Sequence, residues 1–198
     1  MTEREAQKKP RVAILISGTG SNMLAIIEAC KSSALDAEIA LVVSDNPNAP
    51  GLAKARDAGI ETVSAVYERG VPREKNERLI AETIKNKKID WIVLAGFMKI
   101  LSADFVKQFP GRIVNIHPSM LPAFPGAHAI RDALEAQADC AGVTIHIVDE
   151  FVDHGPILAQ EEVPIQPGDT EESLAERVHA VEHRLYPKTL QQLFHEDI

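Results

Sequence analysis

The sequence predicts an α/β protein: a Rossmann-like, three-layer α/β/α fold with a mainly parallel, twisted sheet and an antiparallel strand towards its C-terminus. Three observations predict it. Short apolar runs such as Val12–Ile16 and Ile39–Val43 alternate with amphipathic stretches of helical period. The first run leads through a glycine-rich turn, Ser17-Gly-Thr-Gly-Ser-Asn22, into helical spacing at Met23, Ile26, Ile27 and Cys30. The last apolar run, Ile157–Ile165, follows its predecessor, Gly142–Val148, by a connection too short for a parallel crossover, so the two are antiparallel.

Taken in order, Val12–Ile16 is a continuous apolar run, as a strand buried on both faces requires. Ile39–Val43 is the second strand, and Asn46-Pro-Asn-Ala-Pro50 a turn. Gly51–Ala58 reads as a helix stopped by Gly59, and Glu61–Ser64 as a short strand. Arg73–Lys87 carries Leu79, Ile80 and Ile84 in a charged background, the pattern of a surface helix. Asp90–Leu94 is another buried strand, and Ala95–Leu101 leads from it to a helix at Ser102. Ile113 and Val114 end a strand at Asn115-Ile-His-Pro-Ser-Met-Leu-Pro122, a loop that Pro118, Pro122 and Pro125 keep from being helical. A helix over His128–Ala136 precedes the two closing strands. Asp169-Thr170 caps a last helix running to about Phe194.

Composition narrows the function classes. The 198 residues are 45% hydrophobic and 25% charged, with a net charge of −8, as in an ordinary globular domain. The basic face of a nucleic-acid binder is missing; Lys85-Asn-Lys-Lys88 reads as the solvated end of a helix. No apolar run reaches the ~18 residues of a membrane span, and no signal-peptide pattern opens the chain, so no membrane partner and a cytoplasmic location are expected. Cys30 and Cys140 have no metal or redox spacing and are expected to be free thiols. Residues 1–9 are polar and read as a frayed, flexible tail ahead of a single domain over 10–198.

The candidate chemistry lies at strand ends. Asn115 and His117 are two apart, so on an extended strand an amide donor and an imidazole share one face. That pairing suits holding an oxyanion while moving a proton, although a histidine after a strand is more often a packing or capping residue. Asp153, in an acidic loop closed by Gly155-Pro156, supplies the carboxylate such a pair needs. No Ser or Cys sits in a nucleophile-elbow context, so direct attack on a carbonyl is expected rather than an acyl-enzyme. Gly20, Ser21 and Asn22 offer helix N-terminal donors to a phosphate. The turn is neither a Walker A nor a complete Gly-x-Gly-x-x-Gly, because Met23 stands at the third glycine. A plain strand-to-helix turn and a dinucleotide site with Asp45 on a ribose hydroxyl remain open readings. His179-Ala-Val-Glu182-His183 matches a zinc-peptidase pattern, but without a clearly placed third ligand no metal is expected.

From Arg11 to about Phe194 the sequence resembles the 10-formyltetrahydrofolate-dependent glycinamide ribonucleotide formyltransferases of purine biosynthesis. Ile16-Ser-Gly-Thr-Gly-Ser-Asn22, Leu94-Ala-Gly-Phe-Met-Lys-Ile-Leu101, Asn115-Ile-His-Pro-Ser-Met-Leu-Pro122, Asp153-His-Gly-Pro156 and Glu182-His183 carry the resemblance. It implies a formyltransferase fold with a phosphate-binding half over 10–100 and a folate and catalytic half over 101–198. It implies that Gly20, Ser21 and Asn22 hold the ribonucleotide phosphate and that Glu182 contacts its ribose. Arg73, Met98, Lys99, Ile100 and Leu101 would line the folate cleft, with Asn115 at its inner end. The loop of Asp149, Glu150, Phe151, Val152 and Asp153 would close over the pterin. Asn115, His117 and Asp153 would be catalytic: the glycinamide amine attacks the formyl carbon, Asn115 and protonated His117 hold the oxyanion, and Asp153 assists proton removal and keeps His117 charged. The co-substrate would be 10-formyltetrahydrofolate without a metal, and the protein a monomer or weak homodimer.

Three residues depart from the family's usual pattern. Lys99 stands for an expected Arg, keeping the charge but losing a bidentate donor; His154 replaces a small residue, and Ala123 a common basic one. Two relatives of the reading are a formyltetrahydrofolate hydrolase, which usually has an extra N-terminal domain and needs no phosphate turn, and methionyl-tRNA formyltransferase, which is longer. A non-catalytic dinucleotide-binding module is the alternative from another class.

Overall fold

The computed structural model describes residues 8–195. Its elements in chain order are β1 (Arg11–Ile16), α1 (Ser21–Lys31), β2 (Glu38–Ser44), α2 (Pro50–Asp57), β3 (Thr62–Ser64), α3 (Arg73–Asn86), β4 (Trp91–Leu94), α4 (Ala103–Gln108), β5 (Ile113–His117), α5 (Ala129–Glu135), β6 (Cys140–Ile147), β7 (Ile157–Pro164) and α6 (Glu171–His195). The seven strands form one sheet in the order β3-β2-β1-β4-β5-β6-β7. The chain winds outward from β1 through β2 to β3, then returns and winds the other way from β4. Strand order therefore reverses between β1 and β4, where open α/β sheets leave a crevice at the carboxyl ends of their strands.

The strand pairs from β3 through β5 are all parallel. β6 is antiparallel to β5, and β7 is antiparallel to β6, as its short connection requires. The one strand running against the others is thus β6, and β7 runs with β1–β5. Of the expected tail, residues 1–7 lie outside the described residues; Lys9 pairs with Asp36 at 2.8 Å.

Alternation along β1 divides the core. Val12, Ile14 and Ile16 join one cluster with Met23, Ile26 and Ile27 of α1 and Leu174, Val178 and Leu190 of α6. Ala13 and Leu15 join the other, with Ile80 and Ile84 of α3 and Phe105 of α4. Burial of these side chains, at ~25 cal/mol per Å² of apolar surface, is the main force holding helices to both faces. Local signals set the ends of the elements. Ser102 caps α4 by accepting the Phe105 N–H at 3.1 Å. Thr170 and Ser173 bond reciprocally at the start of α6, at 3.0 and 3.2 Å. Tyr186, fully buried in α6, reaches the carbonyls of Leu94 and Val114 at 3.0 and 3.1 Å and ties that helix to β4 and β5.

The second face loses its helical cover towards β6. Val114, Ile116, Val143 and Ile145 point into the first cluster, so alternation turns Asn115, His117, Thr144 and His146 to the opposite face. Two loops cover them there. The proline loop folds back because Thr144 Oγ1 donates to Ser119 O at 2.7 Å and accepts the Leu121 N–H at 3.1 Å. Gln160 of β7 adds a bond to Leu121 O at 2.8 Å. A Cβ on Gly142 would lie 2.5 Å from Met120, so glycine is what lets the loop lie flat on β6.

Candidate active site

β5 is an interior strand of the sheet, and Asn115 and His117 stand together on one of its faces at the carboxyl end, as their spacing predicts. Nε2 of His117 lies 2.9 Å from Phe124 O. A carbonyl only accepts, so Nε2 carries a proton and Nδ1 is the ring atom left for chemistry. Asp153 Oδ2 lies 3.5 Å from that Nδ1. The same carboxylate oxygen accepts the Gly126 N–H at 2.8 Å, which couples the acidic loop to the proline loop. Both loops hold non-glycine residues in left-handed backbone, Phe124 at φ 52° and Asp153 at φ 51°. Such conformations persist where surrounding contacts over-determine them.

His146 was not singled out from the sequence. It lies opposite Asn115 in the β5–β6 register and is 2% exposed. Its Nδ1 is 2.9 Å from Ile147 O, so Nδ1 carries the proton and Nε2 is a bare acceptor. Asn115 Nδ2 donates to that Nε2 at 3.2 Å. Burial lowers the His146 pKa, against the opposing pull of Ile147 O and Asp153, and so favours the neutral ring that can accept. One Asn115 N–H is thereby spent on His146, which fixes the plane of the amide and the direction of its second N–H. The only sequence signal for His146 was its place in an otherwise apolar strand, and strand histidines are commonly structural.

The glycine turn lies across the reversal point. Gly20, at φ 71°, is the N-cap of α1, so the free N–H groups of Ser21 and Asn22 open the helix. The turn is braced from α2: Gly51 N donates to Gly18 O at 3.1 Å and Lys54 Nζ to Thr19 O at 3.0 Å. A Cβ on Gly51 would meet Ile16 Cδ1 at 2.5 Å, so that residue has no room for a side chain. A cavity of about 370 Å³ extends from Ser17–Asn22 past Gly96 and Met98 to Ile116 and Pro118, which flank His117. Glu182 and His179 form its α6 wall. Glu182 is buried and accepts from Asn22 Nδ2 at 2.9 Å, while Asn22 Oδ1 is buried without a partner among the described residues. Burial raises the Glu182 carboxyl above its usual range despite the Asn22 bond. The zinc-like pattern resolves into separate parts. Glu182 is turned to Asn22, His179 and His183 stack on each other, and no metal-ligating cluster occurs among the described residues.

The segment after β4 presents Met98 and Ile100, 69% and 55% exposed, to solvent, whereas Leu101 packs into the core beneath. Met98 N donates to Ser17 Oγ at 2.7 Å, joining this segment to the glycine turn. Arg73 is exposed at the start of α3. In the acidic loop, Phe151 and Val152 are exposed and Glu150 pairs with Lys107 at 3.2 Å. Asp149 is 2.9 Å from His154 Nδ1 and accepts the Phe151 N–H at 2.9 Å. His154 therefore closes the loop on Asp149, its polar partner among the described residues, rather than on Asp153.

The fold is that of a Rossmann-like α/β protein, with a glycine turn at a helix N-terminus and, nearby, an amide, an imidazole and a carboxylate grouped on one face of the sheet. Residues 10–190 match the family described as formyl transferase, and the chain belongs to that family. It is 45% identical over 190 residues to the trifunctional purine biosynthetic protein adenosine-3 of Drosophila melanogaster. That match takes in 95% of this chain but spans only 14% of that longer relative. It is 42% identical to the phosphoribosylglycinamide formyltransferase of Escherichia coli, over 89% of this chain and 83% of that one. The crystal structure of phosphoribosylglycinamide formyltransferase from Brucella melitensis superimposes with a TM-score of 0.89 at 48% identity, over 96% of this chain and 98% of the other. A formyltetrahydrofolate deformylase from Pseudomonas syringae shares the fold, with a TM-score of 0.89 at 24% identity, over 95% of this chain and 62% of its own.

Proposed function

We propose that the protein transfers the formyl group of 10-formyltetrahydrofolate to the amine of glycinamide ribonucleotide, giving formylglycinamide ribonucleotide and tetrahydrofolate, a step of purine biosynthesis. The observation that carries this reading is the convergence of Asn115, His117 and Asp153, with His117 and Asp153 3.5 Å apart, beside a cavity of about 370 Å³ that begins at an anion-accepting turn. Membership of the formyl transferase family supports the reaction class. The names of the full-length bacterial relatives support the choice of acceptor.

In this reading the N–H groups of Gly20, Ser21 and Asn22 hold the ribonucleotide phosphate, and Glu182 receives a ribose hydroxyl. The pterin lies between the Met98–Leu101 segment and the Asp149–Asp153 loop, with Arg73 and Lys99 at the outer end. The amine lone pair forms a bond to the formyl carbon, and the carbonyl electrons move to oxygen. The free N–H of Asn115 and the proton on His117 Nδ1 meet that oxyanion, the kind of fixed donors whose loss typically costs ~3–4 kcal/mol. Asp153 accepts the proton leaving the amine. The bond from the formyl carbon to the folate nitrogen then breaks as the oxyanion collapses, and the proton taken up by Asp153 passes to that nitrogen. The chain's own residues suffice for each proton movement, so no metal is required by the scheme.

The experiment is to follow 10-formyltetrahydrofolate with and without glycinamide ribonucleotide. Loss of donor only with the ribonucleotide, matched by formylated product, is the expected result. Loss of donor without it would make the protein a hydrolase, and no loss in either case would return the glycine turn to the dinucleotide reading.

A further inference from the structure

Asp45, at the end of β2, has an alternative role as a ribose anchor in a dinucleotide site, and the structure does not favour that role. It is not among the residues lining the cavity at the glycine turn. Its Oδ2 is 3.6 Å from Lys99 Nζ, and its side chain is 9% exposed against 42% for the lysine. Its Oδ1 is buried with no hydrogen-bond partner among the described residues. A buried carboxylate with one unpartnered oxygen depends heavily on its single cationic neighbour. The Lys99 ammonium also lies 5.8 Å from the centre of the Tyr67 ring, within cation–π range.

That ring is itself held. Tyr67 meets Phe97 edge-on at 6.2 Å, and its hydroxyl donates to Glu77 at 3.3 Å. Glu77, buried, accepts the Ser102 N–H at 2.9 Å and the Ser102 hydroxyl as well. With Met98 N on Ser17 Oγ at 2.7 Å, the segment from Phe97 to Ser102 is fastened at three residues, Phe97, Met98 and Ser102. A lysine on a flexible four-carbon stem would otherwise sweep freely over the cleft mouth.

We propose that Asp45 is a positioning residue that, with the Tyr67 ring as a floor, holds the Lys99 ammonium at the mouth of the cleft to receive the carboxylates at the tail of the formyl donor. The proposal rests on the formyl-transfer reading. It gives Lys99, which lacks the fork of an arginine, a substitute for the geometry that a guanidinium carries within itself.

The test is a double-mutant cycle on the whole chain with Asp45→Asn, Lys99→Met and the pair, read as kcat and as KM for each substrate. Asp45→Asn is expected to raise the donor KM about three- to tenfold, with kcat and the ribonucleotide KM within about twofold of the parent. In the Lys99→Met background the same change should add nothing, and Asp45→Glu should restore part of the loss. A formyl donor without tail carboxylates should show no effect of either substitution. Equal effects of Asp45→Asn with and without Lys99, or an unchanged donor KM, would overturn the proposal. If Asp45→Asn does not fold, Lys99→Met decides: an unchanged donor KM in that variant overturns the proposal equally. A parent protein that never consumes the donor would defeat the formyl-transfer reading itself, whereas an active parent with no coupling defeats only the role of Asp45.

Discussion

Asn115 Nδ2 lies 3.2 Å from Nε2 of His146, and because the His146 ring donates Nδ1–H to Ile147 O, its Nε2 can only accept. The Asn115 amide, the oxyanion donor of the proposed mechanism, is thus oriented by a neutral imidazole on the neighbouring strand. Replacing His146 by Phe keeps an aromatic ring in the space and removes the acceptor. The expected result is a kcat lower by about ten- to a hundredfold, the worth of ~1–3 kcal/mol for a polar group left unpaired, with both KM values little changed. His146→Gln, which retains an acceptor, should recover part of the rate.

The same histidine sets a pH dependence of stability. Burial depresses its folded-state pKa below the unfolded value of ~6.5, so the unfolded chain takes up the proton first. The contribution is fully present above pH ~6.5 and is lost as pH falls through the folded-state pKa. Urea midpoints measured downward from pH 7 should therefore decline more steeply in the parent than in His146→Phe. Parallel curves would remove His146 as the source.

Asn115→Ala and Asp153→Asn address the reaction centre itself. Loss of the Asn115 donor should cost ~3–4 kcal/mol of transition-state stabilisation, roughly a hundred- to thousandfold in kcat. Asp153→Asn should cost at least as much and change the pH–rate profile. Steady-state kinetics across pH check both, and an unchanged profile in the second variant would take Asp153 out of the proton transfer.

Gly155 sets the course of the acidic loop. A Cβ there would lie 1.9 Å from Ile147 O, a backbone atom that cannot turn aside. Gly155→Ala should destabilise the fold by ~1–3 kcal/mol and move Asp153 away from His117. Denaturant unfolding and kcat should fall together, whereas normal kcat in the variant would contradict the coupling between loop and carboxylate.

Glu182 is a buried acid whose pKa is raised, chiefly by burial. The folded state keeps its proton to higher pH than the unfolded chain does, so its contribution is lost as pH rises through the folded-state pKa. Glu182→Gln can still accept from Asn22 and has no charge to bury. It is expected to be as stable as the parent or more so at pH 8, with a KM for the ribonucleotide raised several-fold. Thermal unfolding at pH 6 and 8, set beside the two KM values, checks this.

Much of the fold was legible because buried parallel strands leave continuous apolar runs; Val12–Ile16 and Trp91–Leu94 lie where their composition put them. The antiparallel relation of β7 to β6 followed from a short connection, but nothing local reports that β6 is the reversed strand. Spacing, loop chemistry and resemblance singled out Asn115, His117 and Asp153, and the fold brings His117 and Asp153 to 3.5 Å. The partners of His146, Tyr186 and Asp45 were not legible, because each lies across the sheet: Asn115 from β5, the carbonyls of Leu94 and Val114, and the ammonium of Lys99. Leu101 sits in an exposed-looking segment yet turns inward under Phe105, which only the packing of α3 and α4 determines.

The most direct measurement is the fate of the formyl carbon in a single turnover with 10-formyltetrahydrofolate labelled at that carbon with ¹³C, in the presence of glycinamide ribonucleotide. The label is expected to leave the donor and appear as a formamide on the ribonucleotide, stoichiometric with enzyme and without free formate. Label recovered as formate, with the ribonucleotide unmodified, would contradict formyl transfer to the ribonucleotide.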